Sequence, residues 1–318
     1  MSAALRVAVL QGGRSLERQV SLVSGGRVQD ALTRLGHSAT AIDIGHDLVP
    51  RLQEIAPDVV FVALHGRDGE DGAIQELLEV LGLRYTGSRP AGCARSWDKV
   101  LAKELLREAG VPTPDALVFS ENAVKELGAA DALGVVEERL GFPVVVKPAC
   151  QGSALGIRFA ASAADVPGAL IAAFSYSEKV LVERYVHGRE LAVSVLGDEA
   201  LPVVEAVPHE EDFYDFEARY TIGRASFHCP AVLDDGVAAR AQELALRSTR
   251  ALGLEGFARV DLLLDRESGE LQVLEANAIP GLTETSLLPL ATEAAGVGFD
   301  AFVARALELA LVRTTPPG

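Results

Sequence analysis

The chain has 318 residues, 49% of them hydrophobic and 23% charged, enough to build two or three domains with ample cores. Its formal net charge of -16 argues against a nucleic-acid partner, because phosphate backbones demand clustered Lys and Arg. Three widely separated cysteines, Cys93, Cys150 and Cys229, offer neither a disulfide framework nor metal-ligand spacing, and fit a reducing compartment. The N-terminal residues run straight into a strand and no apolar run is long enough to span a membrane. A soluble, cytoplasmic protein with no signal peptide and no membrane partner is therefore expected.

In chain order, a short apolar strand is predicted over 6–10, then a glycine turn, a helix over 20–35, strands over 39–44 and 59–64, and a helix over 72–81. Strands alternating with helices predict a parallel sheet with crossover helices, ending near Ser96. A helix over 98–109 closes on Gly110 and Pro112-Thr113-Pro114, which reads as a domain junction. Strands follow over 143–147 and 180–184, with a Gly-rich loop and a helix over 164–174 between them. Strands over 191–196 and 201–206 are predicted to pair around Gly197-Asp198. An amphipathic helix over 238–252 ends at Gly253, and the last helix spans 299–311.

Between these last helices lie two strand-like segments, 258–264 and 271–277, with a turn between them. A hairpin centred on Ser268 sets Asp261 opposite Glu275 and Arg259 opposite Asn277. Side chains alternate along a strand, so all four share one face. Clustered oxygen ligands suit a hard divalent ion such as Mg2+, which commonly joins carboxylates to nucleotide phosphates. A one-residue slip would break the pairing, and an ordinary charged face is the alternative.

Several loops carry polar residues at strand ends. Gln11-Gly12-Gly13-Arg14-Ser15-Leu16-Glu17 lacks the third glycine of a dinucleotide-binding turn, which argues against a nicotinamide or flavin oxidoreductase. Glu17 suits a substrate ammonium, or is simply a helix-start acid favoured by the dipole. His65, in the loop after the third strand, lies at the same sheet edge as Glu17 and is either a ligand contact or a turn residue. Lys147 ends an apolar strand beside a glycine-bearing loop, an arrangement that suits phosphate oxygens, although the P-loop order is absent. Glu183 and Glu190 flank a hinge and could accept hydrogen bonds from adenine or ribose, or form surface ion pairs. The aromatic stretch over 213–223 reads as a loop that folds over something. Gly281 and Ser286 could meet an anion at a helix start.

The ordered series GGRSLERQVSL, LHGRDGEDG, WDK, VVVKPACQGSALG, VLVERYV, FYDFEARY, ARVDLLLD and LEANAIPGLTETS resembles the D-alanine–D-alanine ligase family of the ATP-grasp superfamily, from about Val7 to Leu311. The resemblance implies an α/β chain of three α+β domains: an N-terminal parallel-sheet domain (1–97) followed by a two-domain ATP-grasp module (98–188 and 189–318). It implies ATP as cosubstrate and two Mg2+ ions, with Mn2+ able to substitute, held by Asp261, Glu275 and Asn277. Lys99 and Lys147 would contact phosphates, with Ser153 and Arg219 also on the nucleotide side. Glu183, Val186 and Glu190 would line the adenine and ribose pocket. Glu17 would hold the first D-alanine ammonium, with His65 nearby. Arg259 and the Gly281 N–H would stabilise oxyanions, and Ser286 with Leu287 would hold the second carboxylate. Ser153 and Tyr220 would link to Glu17 and close a loop over the site.

The implied product is D-alanyl-D-alanine for peptidoglycan precursors, made by a likeness-implied homodimer. Three departures from the family pattern stand out: Arg219 in place of a lysine, Ala154 in place of a serine, and the pair Ala278-Ile279 in place of a Thr-containing pair. Arg keeps the charge of Lys but changes its geometry. The alternatives are a relative using D-lactate or another D-amino acid as second substrate, and a non-catalytic nucleotide-binding protein.

Overall fold

A computed structural model describes residues 4–129, 133–208 and 225–313. The N-terminal part contains β1 (Arg6–Gln11), α1 (Arg18–Arg34), β2 (Ser38–Asp43), α2 (Leu48–Ile55), β3 (Val59–Val62) and α3 (Ala73–Val80). Its sheet has the order β2-β1-β3, with every pair parallel. Valines and leucines at successive positions of β1 and β3 are fully buried, because helices and neighbouring elements cover both sheet faces. Helix α4 (Pro90–Trp97) and helix α5 (Lys99–Glu108) lead out of this unit.

Next come β4 (Ala116–Ser120), α6 (Glu121–Glu126), α7 (Gly134–Leu140), β5 (Val144–Pro148), β6 (Arg158–Ala160), α8 (Val166–Phe174) and β7 (Lys179–Arg184). Their sheet is antiparallel, in the order β4-β7-β5-β6. The remaining elements are β8 (Gly188–Leu196), β9 (Glu199–Ala200), β10 (Val204–Pro208), β11 (Ala225–His228), α9 (Asp235–Leu252), β12 (Phe257–Asp265), β13 (Leu271–Asn277), α10 (Leu287–Ala294) and α11 (Phe299–Val312). They form a second antiparallel sheet, β11-β10-β8-β12-β13, with β9 on β8. The chain is thus a mixed α/β protein with one parallel and two antiparallel sheets among its described residues.

One predicted pairing needs correction. Gly197-Asp198 does turn the chain, but the strand it returns is the two-residue β9, with Leu196 opposite Glu199. Pro202 cannot donate to a ladder, so pairing stops there and resumes at β10 with Val204 opposite Ala192, one residue out of step. Several short elements, β4, β6, α2 and α4 among them, escaped the periodicity because three to eight residues carry too little pattern.

The cores do not respect the boundaries between sheets. Ala102 and Leu106 of α5 pack with Leu244, Val260 and Val273, on one face of the β8–β12–β13 sheet. That face is closed by α9, whose buried Ala241, Leu244, Ala245, Ser248 and Leu252 recur at helical spacing. A second core joins Val7, Val9 and Phe61 of the parallel sheet to Phe257, Leu288 and Phe302. Phe61 and Phe257 stack with ring centroids 6.2 Å apart, and Phe302 meets Phe257 edge-on at 5.4 Å. This aromatic run fixes β12 against the parallel sheet. Phe302→Ala is expected to destabilise the chain by about 3–5 kcal/mol, read as a lower urea midpoint with an unchanged m-value.

Candidate active site

The β12–β13 hairpin pairs Arg259 with Asn277 and Asp261 with Glu275. The register then shifts, and Leu262 lies opposite Val273, so Leu274 is an extra residue. The shift is a β-bulge, and it leaves the two polar pairs in register at the open end of the hairpin. Arg259 grips Asp261 in a fork, Nε to Oδ1 at 2.6 Å and Nη2 to Oδ2 at 2.9 Å. Asn277 Nδ2 donates to the same Oδ2 at 3.2 Å. The Arg259–Asp261 pair is buried, so its charges are weakly screened.

Lys99, the first residue of α5, connects this face to the glycine loop after β5. Its Nζ lies 3.2 Å from Glu275 Oε2 and donates to Gln151 O at 2.7 Å. Among the described residues no three His, Cys, Asp or Glu side chains form a ligand cluster. The donor set is instead two carboxylates and one amide oxygen on a single strand pair. All three are hard oxygen donors, which fit Mg2+ or Mn2+ and give no place to a soft ion.

Two residues beyond Gln151, the Ser153 hydroxyl donates to Glu17 Oε1, spanning the glycine loop and the first βα turn. Glu17 occupies the N-cap position of α1, yet its carboxylate makes no capping bond. Its side chain is buried and turned toward the glycine loop, not along its own helix. Gly66 and Gly152 make room for it: a Cβ at either would lie 2.6 Å or 2.8 Å from Glu17 Oε2.

His65 is buried and bound elsewhere. Its Nδ1 lies 3.1 Å from Ile279 O and its Nε2 lies 3.0 Å from Ser24 Oγ. A carbonyl oxygen can only accept, so Nδ1 carries a proton toward Ile279 O, with Nε2 and the Ser24 hydroxyl as partners on the other side of the ring. His65 therefore fixes the loop after β13. In that loop a Cβ on Gly281 would lie 2.7 Å from Ser286 Oγ, which accepts from Thr283 N at 3.0 Å. The Leu287 side chain is in the core, so what it offers a ligand is its N–H in the first turn of α10.

The third group lies between β5, β7 and α5. Glu183 is ion-paired through Oε2 with Lys147, and its Oε1 lies 2.8 Å from Lys103 Nζ. All three side chains are buried. Burial alone would push the Glu183 carboxyl up, but Lys147 and Lys103 together outweigh it and hold the group below its ordinary range. Burial pulls the Lys103 ammonium down to about 8, with the nearby Lys147 charge adding to the fall and Glu183 opposing it. Val186 is buried just past β7, and Glu190 on β8 faces Leu263, on the same sheet face as Asp261. Lys103 was the residue that sequence patterning missed. The signal was its spacing: Lys99 and Lys103 are four apart on a buried helix face.

A cleft of about 1040 Å³ opens beside these loops, lined by Arg14, Ser15, Arg67, Gln151, Tyr176 and Lys179 among others. Arg219 and Tyr220 lie outside the described residues.

Removing the Glu183 charge by Glu183→Gln is expected to cost about 3–5 kcal/mol at pH 7, since buried ammonium groups lose their counter-ion. The folded pKa of Glu183 lies below its ordinary 4.5, so its ionisation stabilises the fold above that pH and the benefit fades as pH falls through the folded value. Urea unfolding of both proteins from pH 7 to pH 3 is expected to show the gap closing on the acid side.

A family model described as the D-ala D-ala ligase C-terminus matches residues 105–308, and one for the N-terminus matches residues 47–88. A D-alanine–D-alanine ligase from Moorella thermoacetica is 43% identical, covering 96% of this chain and 99% of the relative. One from Alcanivorax borkumensis is 45% identical, covering 97% and 94%. The solved ligase of Bacillus anthracis complexed with ATP superposes with a TM-score of 0.83 at 28% identity, covering 97% of this chain and 98% of that one. Matches of this length and identity, on a chain with this fold, make it a member of the D-alanine–D-alanine ligase family.

Proposed function

We propose that the chain joins two molecules of D-alanine into D-alanyl-D-alanine with conversion of ATP to ADP and phosphate, supplying peptidoglycan precursors. The observation that carries this is a continuous run of contacts. Glu17 meets Ser153 in the glycine loop, Gln151 of the same loop meets Lys99, Lys99 meets Glu275, and Glu275 pairs across the hairpin with Asp261, which Arg259 grips. An anion suited to an ammonium thus sits at one end, and a polar face suited to phosphates and an oxyanion sits at the other.

A carboxylate is a poor acyl donor to an amine, so activation comes first. Glu17 holds the ammonium of the first D-alanine, with His65 keeping the adjacent loop in place. One carboxylate oxygen attacks the γ-phosphorus of ATP, the bond to the β-phosphate oxygen breaks, and D-alanyl phosphate and ADP form. The amine of the second D-alanine, held through its carboxylate by Ser286 and the Leu287 N–H, then attacks the acyl carbon. It loses a proton, the tetrahedral centre collapses, and phosphate leaves.

Negative charge builds on oxygen in both steps. Lys99 and Lys147 neutralise phosphate oxygens, while Arg259 and the Gly281 N–H stabilise the oxyanion. Glu183, Val186 and Glu190 receive the adenine and ribose. Two Mg2+ ions would be held by Asp261, Glu275 and Asn277 and would offset phosphate charge, and Mn2+ would substitute. Water must be kept from the acyl phosphate, and the Ser153 contact with Glu17 holds the glycine loop against the first βα turn at that end of the site. The enzyme works in the cytoplasm as a homodimer. No helix among the described residues is long and apolar enough to cross a membrane.

Phosphate release from ATP is expected to require D-alanine and to yield D-alanyl-D-alanine by mass spectrometry; equal or better turnover with D-lactate as second substrate at neutral pH would overturn the specificity. Glu275→Gln is expected to lower kcat at least about 100-fold with the fold retained. Gly152→Ala, which pushes a methyl against Glu17, is expected to raise KM for D-alanine about tenfold and leave KM for ATP unchanged, since one displaced charge-assisted contact is worth about that factor.

A further inference from the structure

We propose that Lys103 is a positioning residue for base recognition: it keeps Glu183 ionised and fixed, so that the nucleotide pocket selects a 6-amino purine over a 6-oxo purine. The inference rests on the proposal that Glu183 faces the nucleotide base. Lys103 touches no substrate in that arrangement and acts through Glu183.

The Lys103 ammonium has three N–H bonds and three oxygen neighbours. Thr113 Oγ1 accepts at 2.6 Å, Pro114 O accepts at 2.9 Å, and Glu183 Oε1 lies at 2.8 Å. Thr113 and Pro114 belong to the proline-flanked segment that leaves α5, and Pro114 O also accepts from Arg107 at 3.2 Å. With two donors hydrogen-bonded, Glu183 at ion-pair distance and only 3% of its surface exposed, Lys103 is held in place.

Lys147 differs. It lies where the glycine loop begins, and a bound phosphate competes with Glu183 for its charge. When Lys147 turns to phosphate, Lys103 is the cation that stays. Without it Glu183 would be a buried carboxylate that takes up a proton.

The geometry at Oε1 points the same way. Its contact with Lys103 is short, yet this buried oxygen has no well-directed hydrogen bond among the described residues. It can therefore accept from a further donor. An ionised carboxylate is acceptor-only, so it pairs with the amino group of adenine and repels the carbonyl oxygen of hypoxanthine. Protonation would erase that difference, because a carboxylic acid can donate to the carbonyl.

The test is calorimetric binding of ATP and of inosine triphosphate with Mg2+ and no D-alanine, so that no ligation is needed. The unmutated protein is expected to prefer ATP by at least about tenfold, the worth of one charge-assisted bond. Lys103→Met is expected to weaken ATP about tenfold and the inosine nucleotide less than about twofold, and Lys103→Arg to restore most of the preference. No preference in the unmutated protein, an unchanged preference in folded Lys103→Met, or equal weakening of both nucleotides overturns the proposal. If Lys103→Met fails to fold or to bind, Thr113→Val decides: it loosens one tether and is expected to narrow the preference about threefold, and an unchanged ratio overturns the proposal. Absent dipeptide synthesis with the nucleotide preference intact would overturn the ligase function and leave this inference standing.

Discussion

One ammonium group holds the site together. Lys99 Nζ reaches Glu275 on the hairpin and Gln151 on the glycine loop, at 3.2 Å and 2.7 Å. Its position is set by the start of α5. Asp98 caps that helix by accepting from Val100 N and Leu101 N, and Lys99 N donates to Ala149 O at 3.0 Å. The helix is thus pinned to the loop through main chain and side chain together. The same loop carries Ser153 to Glu17. Neutralising Lys99 would remove a charge, and would also release the loop from the hairpin, so the two ends of the site would lose their common reference.

The hairpin was legible in the sequence because alternation and a turn fix register without tertiary help. Arg259, Asp261, Glu275 and Asn277 fall where that logic puts them. The bulge at Leu274 was not legible: nothing in a run of strand-forming residues marks the one that will be extra. Counting from Ser268 gave the right pairs at the site end, while the turn end runs in the neighbouring register. Glu183 was legible as a strand-end acid, but its partners were not, since Lys103 and Lys147 come from separate elements that only the fold brings together. Lys103 belongs to none of the loop or strand-end motifs. Its burial follows from α5 packing against the C-terminal sheet, a contact that no local pattern announces.

Charge is distributed against the overall balance. The chain carries 45 acidic and 29 basic residues, so its far field repels a polyphosphate. That field is screened over about 8–10 Å at physiological salt. The cations of the proposed site act inside that distance: Lys99, Lys103, Lys147 and Arg259, all buried or nearly so. Each is paired with a carboxylate, so none is buried as a lone charge. The pairing that makes these cations tolerable also orients them. In the proposed arrangement the low local dielectric then makes Lys99 and Lys147 worth more to an incoming phosphate than surface lysines would be.

The glycine loop is strained where a glycine would have relieved it. Ser153 has φ +52° and Ala154 φ +58°, both in the left-handed region, at a cost of about 1–2 kcal/mol each for residues with a side chain. A glycine at 153 would remove that cost and with it the hydroxyl that meets Glu17. Ala154 has no such excuse in its side chain: two turn contacts, Leu155 N to Gly152 O and Ile157 N to Ala154 O, hold the backbone there. The turn that aims Ser153 at Glu17 therefore dictates the conformation of its neighbour. Strain at these two residues is the consequence of placing one hydroxyl against a buried carboxylate, and the flanking glycine at 152 serves space, keeping a Cβ away from Glu17.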